Sequence, residues 1–121
     1  MDLTIKDMAD KIGVSVYTLR YYEKENIIFD IKRKANGHWV YKEEDIGKFD
    51  FLTCLKSTGM SISDMKKYVN LCKAGESNIN ERVDLLKCHK KKIQEKIKLM
   101  NSFLEKIDWK INYYSDNKKY K

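Results

Sequence analysis

The residues best equipped to meet a partner lie close to the N-terminus, in the stretch Ser15–Glu23, SVYTLRYYE. Arg20 carries a planar guanidinium fork that fits a phosphate or the edge of a guanine. Tyrosine hydroxyls donate to phosphate oxygens and tyrosine rings pack on sugars. On a helix, Tyr17, Thr18 and Arg20 would point outward. One of Tyr21 and Tyr22 would then touch a nucleic-acid backbone while the other packs inward with Val16 and Leu19. The plainer alternative is that the tyrosines fill a small core around Leu19. The remaining reactive side chains are sparse: Cys54, Cys72, Cys88 and two histidines. Cys88 and His89 are adjacent on a helical stretch and point about 100° apart, so they cannot chelate one ion together. Tetrahedral thiolate sites need more ligands than this, and no metal site is expected. Glycine-rich phosphate loops, nucleophile elbows and convincing carboxylate pairs are absent from the sequence, so an enzyme is not expected and no cofactor is assigned.

The elements that must position these residues can be read from caps and breaks. Thr4 followed by Asp7 starts a helix over Thr4–Lys11, with Ile5, Met8, Ala9 and Ile12 at helical spacing. Gly13 ends it. Ser15 caps a second helix that runs to about Glu25. Two short helices around a glycine turn form a helix-turn-helix pattern. The next segment leaves the helical period. Ile27, Phe29 and Ile31 alternate, as do Trp39 and Tyr41, and Asn36-Gly37 between them is a hairpin-turn signal. A small β-hairpin wing follows, with Lys32, Arg33 and Lys34 on its first arm. A third helix spans about Glu43–Ser57, and Thr58-Gly59-Met60 breaks it. Ser61 with Asp64 caps a fourth, which ends near Gly75.

The final segment is the most regular. Asn78, with Glu81 three residues on, is the expected cap. Ile79, Val83, Leu86, Lys90, Ile93, Ile97, Met100, Leu104, Ile107, Ile111 and Tyr114 then alternate steps of four and three. Only Lys90 is polar, so the seam is a heptad repeat. Such a helix reaches about 50 Å, too long to bury its seam on the preceding head. A second copy of the chain is the expected cover, through Val83, Leu86, Ile93, Ile97, Met100, Leu104, Ile107 and Ile111. The expected organisation is a head over 1–75, a dimerisation helix over 76–114 and a polar tail over 115–121.

The totals agree with a polyanion partner. Lys and Arg number 25 against 18 Asp and Glu, a net charge of +7 over 121 residues. A basic, charged chain favours nucleic acid. Three unpaired cysteines suggest a reducing compartment. No signal segment or membrane span is evident, so a cytoplasmic protein with no membrane partner is expected.

Taken in order, LTIKDMADKIGVSVYTLRYYEKENII, RKANGHWVYKEEDI and FLTCLKSTGMSISDMKKYV resemble the MerR family of bacterial transcription regulators over about residues 1–72. The resemblance implies a mainly α fold: a winged helix-turn-helix head with a small β-hairpin wing, and a long C-terminal antiparallel coiled-coil dimerisation helix. It implies a homodimer that binds double-stranded promoter DNA, and distorts it so that RNA polymerase, an indirect partner, can engage. By position it implies DNA contacts from Tyr17, Thr18, Arg20, Tyr21 and Tyr22, from Lys32, Arg33, Asn36, Gly37, His38 and Tyr41 in the wing, and from Lys56 near the turn between helices three and four. Two departures stand out. Trp39 occupies a place where the family usually has arginine, so Arg33, Lys34 or His38 compensates or Trp39 packs on sugar or protein. Lys42 replaces the usual small capping residue.

The segment FLTCLKSTGMSI further resembles the family's aldehyde- and thiol-stress-responsive (AdhR/NmlR-like) subgroup, which carries a cysteine at this position. That resemblance implies effector sensing by Cys54. Lys48 and Lys56 would favour its thiolate and Asp50 would oppose it. The residues alone also allow Cys54 as a small packing group. Other readings are a non-covalent ligand or a metal as the effector, and, outside this class, a coiled-coil adaptor that binds protein. The chain ends at residue 121, so no separate drug-binding domain is expected.

Overall fold

A computed structural model describes residues 2–29 and 33–116. The chain divides into two compact units, the first ending at Leu85 and the second beginning at Leu86. The elements are β1 (Asp2–Leu3), α1 (Ile5–Ile12), α2 (Val16–Lys24), β2 (Tyr41–Lys42), α3 (Asp45–Ser57), α4 (Ile62–Lys73), a 3-10 turn (Glu76–Asn78) and α5 (Ile79–Asp116). Among the described residues no helix is long and apolar enough to cross a membrane.

Short-range hydrogen bonds explain where the head's helices start and stop. Asp7 N–H donates to Thr4 Oγ1 and Thr4 N–H donates to Asp7 Oδ2, both at 3.1 Å. This reciprocal box satisfies two backbone donors at the start of α1. The Thr4 backbone N–H, with the Thr4 hydroxyl second, holds the Asp7 carboxyl below the usual carboxylate range. Gly13 closes α1 at φ 83°, a left-handed conformation that costs glycine nothing. Its N–H donates to Ala9 O at 2.9 Å. Ser15 then caps α2 by accepting from Thr18 N–H at 3.1 Å. Ser61 caps α4 in the same way, through Asp64 N–H at 3.1 Å. At α3 the side chain works backwards: the buried Asp45 carboxylate accepts from Lys42 N–H at 2.9 Å. Lys42 therefore contributes its backbone, and its long side chain is no obstacle to starting the helix.

The core of the head gathers Met8 and Ala9 from α1, Leu19 and Tyr22 from α2, Phe49, Leu52 and Leu55 from α3, and Met65 and Val69 from α4. Phe49 is its aromatic centre. Phe29 and Tyr41 both meet its ring edge-on with centroids 5.5 Å apart, a favoured arrangement for aromatic quadrupoles.

One sequence expectation changes in the folded chain. The first arm of the wing was expected to alternate; instead Ile27, Ile28 and Phe29 are all buried in a row, without a ladder. The cause lies at the end of α2, where Asn26 turns left-handed at φ 60° and Ile27 N–H donates back to Tyr22 O at 2.8 Å. The chain is thereby pressed onto the core, where all three side chains find cover. Ile31 and Lys32 lie outside the described residues. The second arm, Tyr41–Lys42, pairs antiparallel with Asp2–Leu3, and among the described residues the wing closes through an Arg33–Trp39 bridge. At the start of α5, the Asn78 side chain accepts from Arg82 Nε at 3.0 Å, while Arg82 Nη2 donates to Gly75 O at 2.7 Å.

The second unit is the rest of α5. The whole helix has 38 residues and is about 57 Å long. Ile97, Met100, Leu104, Ile107 and Ile111, all on the heptad seam, are exposed.

Candidate nucleic-acid interface

Helix α2 sorts its residues by face. Leu19 and Tyr22 point into the core, and Tyr17, Arg20 and Tyr21 are exposed. Tyr17 is 80% accessible, a large ring left in water. Thr18 is half-buried, and its hydroxyl shares a 3.0 Å hydrogen bond with Ser15 Oγ. Lys24, four residues beyond Arg20, is exposed as well, and helical spacing puts it on the same outer stripe. The i, i+3, i+7 spacing from Tyr17 could have found Lys24 in the sequence.

Two expected contact residues turn inward. Tyr22 and Tyr41 are each 1% exposed, so neither ring is available to a phosphate. Tyr22 resolves the choice between the paired tyrosines: it is the core member and Tyr21 the outer one. Burial pushes the Tyr22 phenol above its usual range, and its hydroxyl has no hydrogen-bond partner among the described residues. The Thr53 hydroxyl beside it donates to Phe49 O at 3.0 Å instead. Tyr41 donates to Glu23 Oε2 at 2.6 Å. Burial first, then that hydrogen bond and the Glu23 charge, raise its phenol far above the ordinary value. Tyr41 thus anchors the wing strand to the end of α2.

The tip of the wing is a tight turn. Lys34 N–H donates to His38 O at 2.7 Å and Gly37 N–H to Lys34 O at 2.9 Å. Asn36 Oδ1 accepts from His38 N–H at 3.1 Å. Gly37 takes φ 86°, as the Asn-Gly signal required. The Arg33 guanidinium lies 4.0 Å from the centre of the Trp39 ring. Trp39 therefore packs on protein and holds the neighbouring arginine by a cation–π contact. Lys34, Asn36, His38 and Trp39 from the wing face Arg20 and Glu23 of α2 across a cleft of about 240 Å³. Sequence reasoning brought Arg20 and the wing to one surface and allowed Trp39 to pack on protein, without naming Arg33 as its partner.

Lys56 is exposed near the end of α3. Cys54 is an exposed free thiol on the same helix, and its carbonyl accepts from Thr58 Oγ1 at 2.8 Å. Lys48, expected to assist Cys54, is engaged elsewhere: its ammonium lies 4.0 Å from Asp45 Oδ1 and 6.0 Å from the centre of the Phe29 ring. Among the described residues no cluster of His, Cys, Asp and Glu could hold a metal ion.

A cap-positioned second helix with an outward Arg and Tyr face, set beside a basic turn, places the chain in the class of winged helix-turn-helix DNA-binding transcription regulators. Comparison with known proteins narrows the class. Residues 3–72 match the family model of MerR HTH family regulatory proteins, and the chain belongs to that family. An uncharacterized HTH-type transcriptional regulator of Haemophilus influenzae is 38% identical over 82 residues, 68% of this chain and 61% of that protein. The regulator AdhR of Bacillus subtilis is 35% identical over 80 residues, 66% of this chain and 57% of its own length. The chain thus spans about three fifths of these relatives. The crystal structure of HiNmlR, a MerR family regulator lacking the sensor domain, bound to promoter DNA, superposes with a TM-score of 0.84. It is 32% identical, and the match covers 99% of this chain and 95% of that one. These relatives are regulators, not enzymes.

Proposed function

We propose that this DNA-binding regulator acts in the cytoplasm as a homodimer whose two heads grip one promoter and distort it, with Cys54 reporting electrophiles. The observation that carries the DNA reading is the outward face of α2, where Tyr17, Arg20 and Tyr21 stand beside the Arg33–Trp39 wing. Arg20 takes a base edge or phosphate in the major groove. Tyr17, Thr18 and Tyr21 contact the backbone beside it. Arg33, Asn36, Gly37 and His38 follow the flanking phosphates, and Lys56 adds one from the last turn of α3. The likeness to HiNmlR, a regulator seen bound to promoter DNA, supports the DNA-binding reading.

The dimer reading rests on α5. Its seam leaves Ile97, Met100, Leu104, Ile107 and Ile111 more than half exposed on a single chain. A contiguous apolar stripe of that length needs a cover. Two heads in one dimer act on one DNA segment, and bending or untwisting it at a cost of a few kcal/mol realigns the elements that RNA polymerase reads.

The sensing step is chemically small. The Cys54 thiolate attacks the carbonyl carbon of an aldehyde, a C–S bond forms, the C=O π bond opens onto oxygen, and that oxygen takes a proton. The thiol's exposure gives the reagent access, which such reactivity requires.

One experiment set tests the proposal. A duplex selected from random sequence is titrated with wild type, Arg20→Ala and Cys54→Ser across salt concentrations. Wild-type affinity should fall by orders of magnitude from low to moderately high salt. Arg20→Ala should lose the selected sequence while remaining dimeric. Cys54→Ser should bind normally and lose both the aldehyde adduct, read by intact mass, and any transcriptional response. Unchanged binding by Arg20→Ala would overturn the groove assignment, and an intact response in Cys54→Ser would return that residue to packing.

A further inference from the structure

A cavity of the head lies away from the α2 and wing surface. It has a volume of about 480 Å³ and opens between α3, α4 and the first turn of α5. Its walls are aromatic: Phe29, Phe51 and Tyr68, with the Phe51 and Tyr68 rings 5.8 Å apart. Its lining also carries three cations, Lys48, Lys73 and Arg82, together with Gly47 and Cys72. Among the described residues no carboxylate lies within ion-pair distance of Lys73 or Arg82, and Lys48 meets Asp45 only at 4.0 Å. Three like charges around one apolar hollow repel each other and gain when an anion enters. Arg82 cannot swing away freely, since Nε is held by Asn78 Oδ1 and Nη2 by Gly75 O. Burial, and then the adjacent Cys72 thiol, keep the Tyr68 phenol protonated above the usual range, so it can serve as a donor.

We propose that this cleft is a binding site for a small organic anion, an aryl or short acyl carboxylate. Its apolar body rests on Phe29, Phe51 and Tyr68, and its carboxylate meets Lys73 and Arg82. The volume fits one such molecule of modest size. A ligand seated there touches α3, α4 and the first turn of α5 at once, so its binding would tie the head's helices to the start of α5. The inference stands apart from Cys54 and from the DNA contacts, because none of those residues lines the cleft.

The test is calorimetric titration of the DNA-free full chain with benzoate, benzyl alcohol and inorganic phosphate. Benzoate should bind saturably, one per chain, and at least about tenfold more tightly than the neutral or the non-aromatic probe. Lys73→Gln, a change of an exposed side chain, should weaken benzoate by about tenfold and leave benzyl alcohol unchanged. Gly47 also lines the cleft, sits within α3, and has nothing within 4 Å of where a Cβ would stand. Gly47→Leu should therefore fill the space and abolish benzoate binding without lowering the melting temperature. Absence of benzoate binding to wild type, as when a partner copy already fills the cleft, would overturn the proposal. So would phosphate binding as tightly as benzoate, or benzoate binding retained in Gly47→Leu. Operator binding by the same preparations reports the DNA reading separately.

Discussion

At the scale of single residues, the wing depends on two aromatic side chains in quite different ways. Trp39 is the platform for Arg33. An exposed cation–π contact contributes about 0.5–1 kcal/mol, so Trp39→Ala should loosen operator binding by about threefold. The head should still melt at the same temperature, and fluorescence anisotropy with calorimetry would show both. Tyr41 instead contributes stability. Its hydroxyl meets Glu23 in the part-buried interior, and removing it in Tyr41→Phe should cost about 1 kcal/mol. The alkaline behaviour follows from the raised phenol. The folded form resists ionisation that the unfolded chain undergoes near the ordinary value of 10.0. The stabilisation is complete below that pH and is lost as pH climbs above it. Denaturant titrations between pH 8 and 11 should therefore show a shallower alkaline decline in Tyr41→Phe than in wild type.

At the scale of elements, each helix in the head begins with a local device. The Thr4–Asp7 box, the Ser15 cap and the Ser61 cap all act across three residues. Ser15 matters beyond stability because α2 carries Arg20 and Tyr17. Ser15→Ala should cost about 1 kcal/mol, read as a lower unfolding midpoint in urea. It should also weaken operator binding, since the first turn of α2 frays where it meets DNA. The box at α1 responds to acid. With its carboxyl held below the usual range, Asp7 stabilises the fold above the ordinary carboxylate pKa. That contribution disappears as pH falls through the lower folded value. The strands show the limit of local reasoning. Alternation in the sequence implied a hairpin, and its arms do meet at the Arg33–Trp39 bridge; what local reasoning missed is that β2 also pairs with the N-terminal β1 and that Ile27–Phe29 are all drawn into the core.

At the scale of the whole molecule, the exposed seam of α5 is the feature that a single chain leaves unexplained. Leu104 is 55% accessible at its middle stretch. A second copy would bury it, so Leu104→Glu should weaken self-association by at least about a hundredfold. Sedimentation should then find monomers with folded heads. A well-folded dimer in that variant would mean the seam has another use.

The sequence by itself determined the helices of the head, the caps at Thr4, Ser15 and Ser61, the glycine breaks at 13 and 37, and the outward Arg20 face. These depend on residues three or four apart, so the relevant contacts are already adjacent in the chain. The family resemblance was legible for the same reason, because its motifs are runs of such local devices. Only the tertiary structure decided that Tyr22 goes in and Tyr21 out, that Tyr41 binds Glu23, and that Trp39 supports Arg33. It alone brought Phe29, Phe51, Tyr68, Lys73 and Arg82 around one cavity. Those partners are far apart in sequence, and which of them meet is set by how the helices pack on Phe49, a choice that no local period encodes.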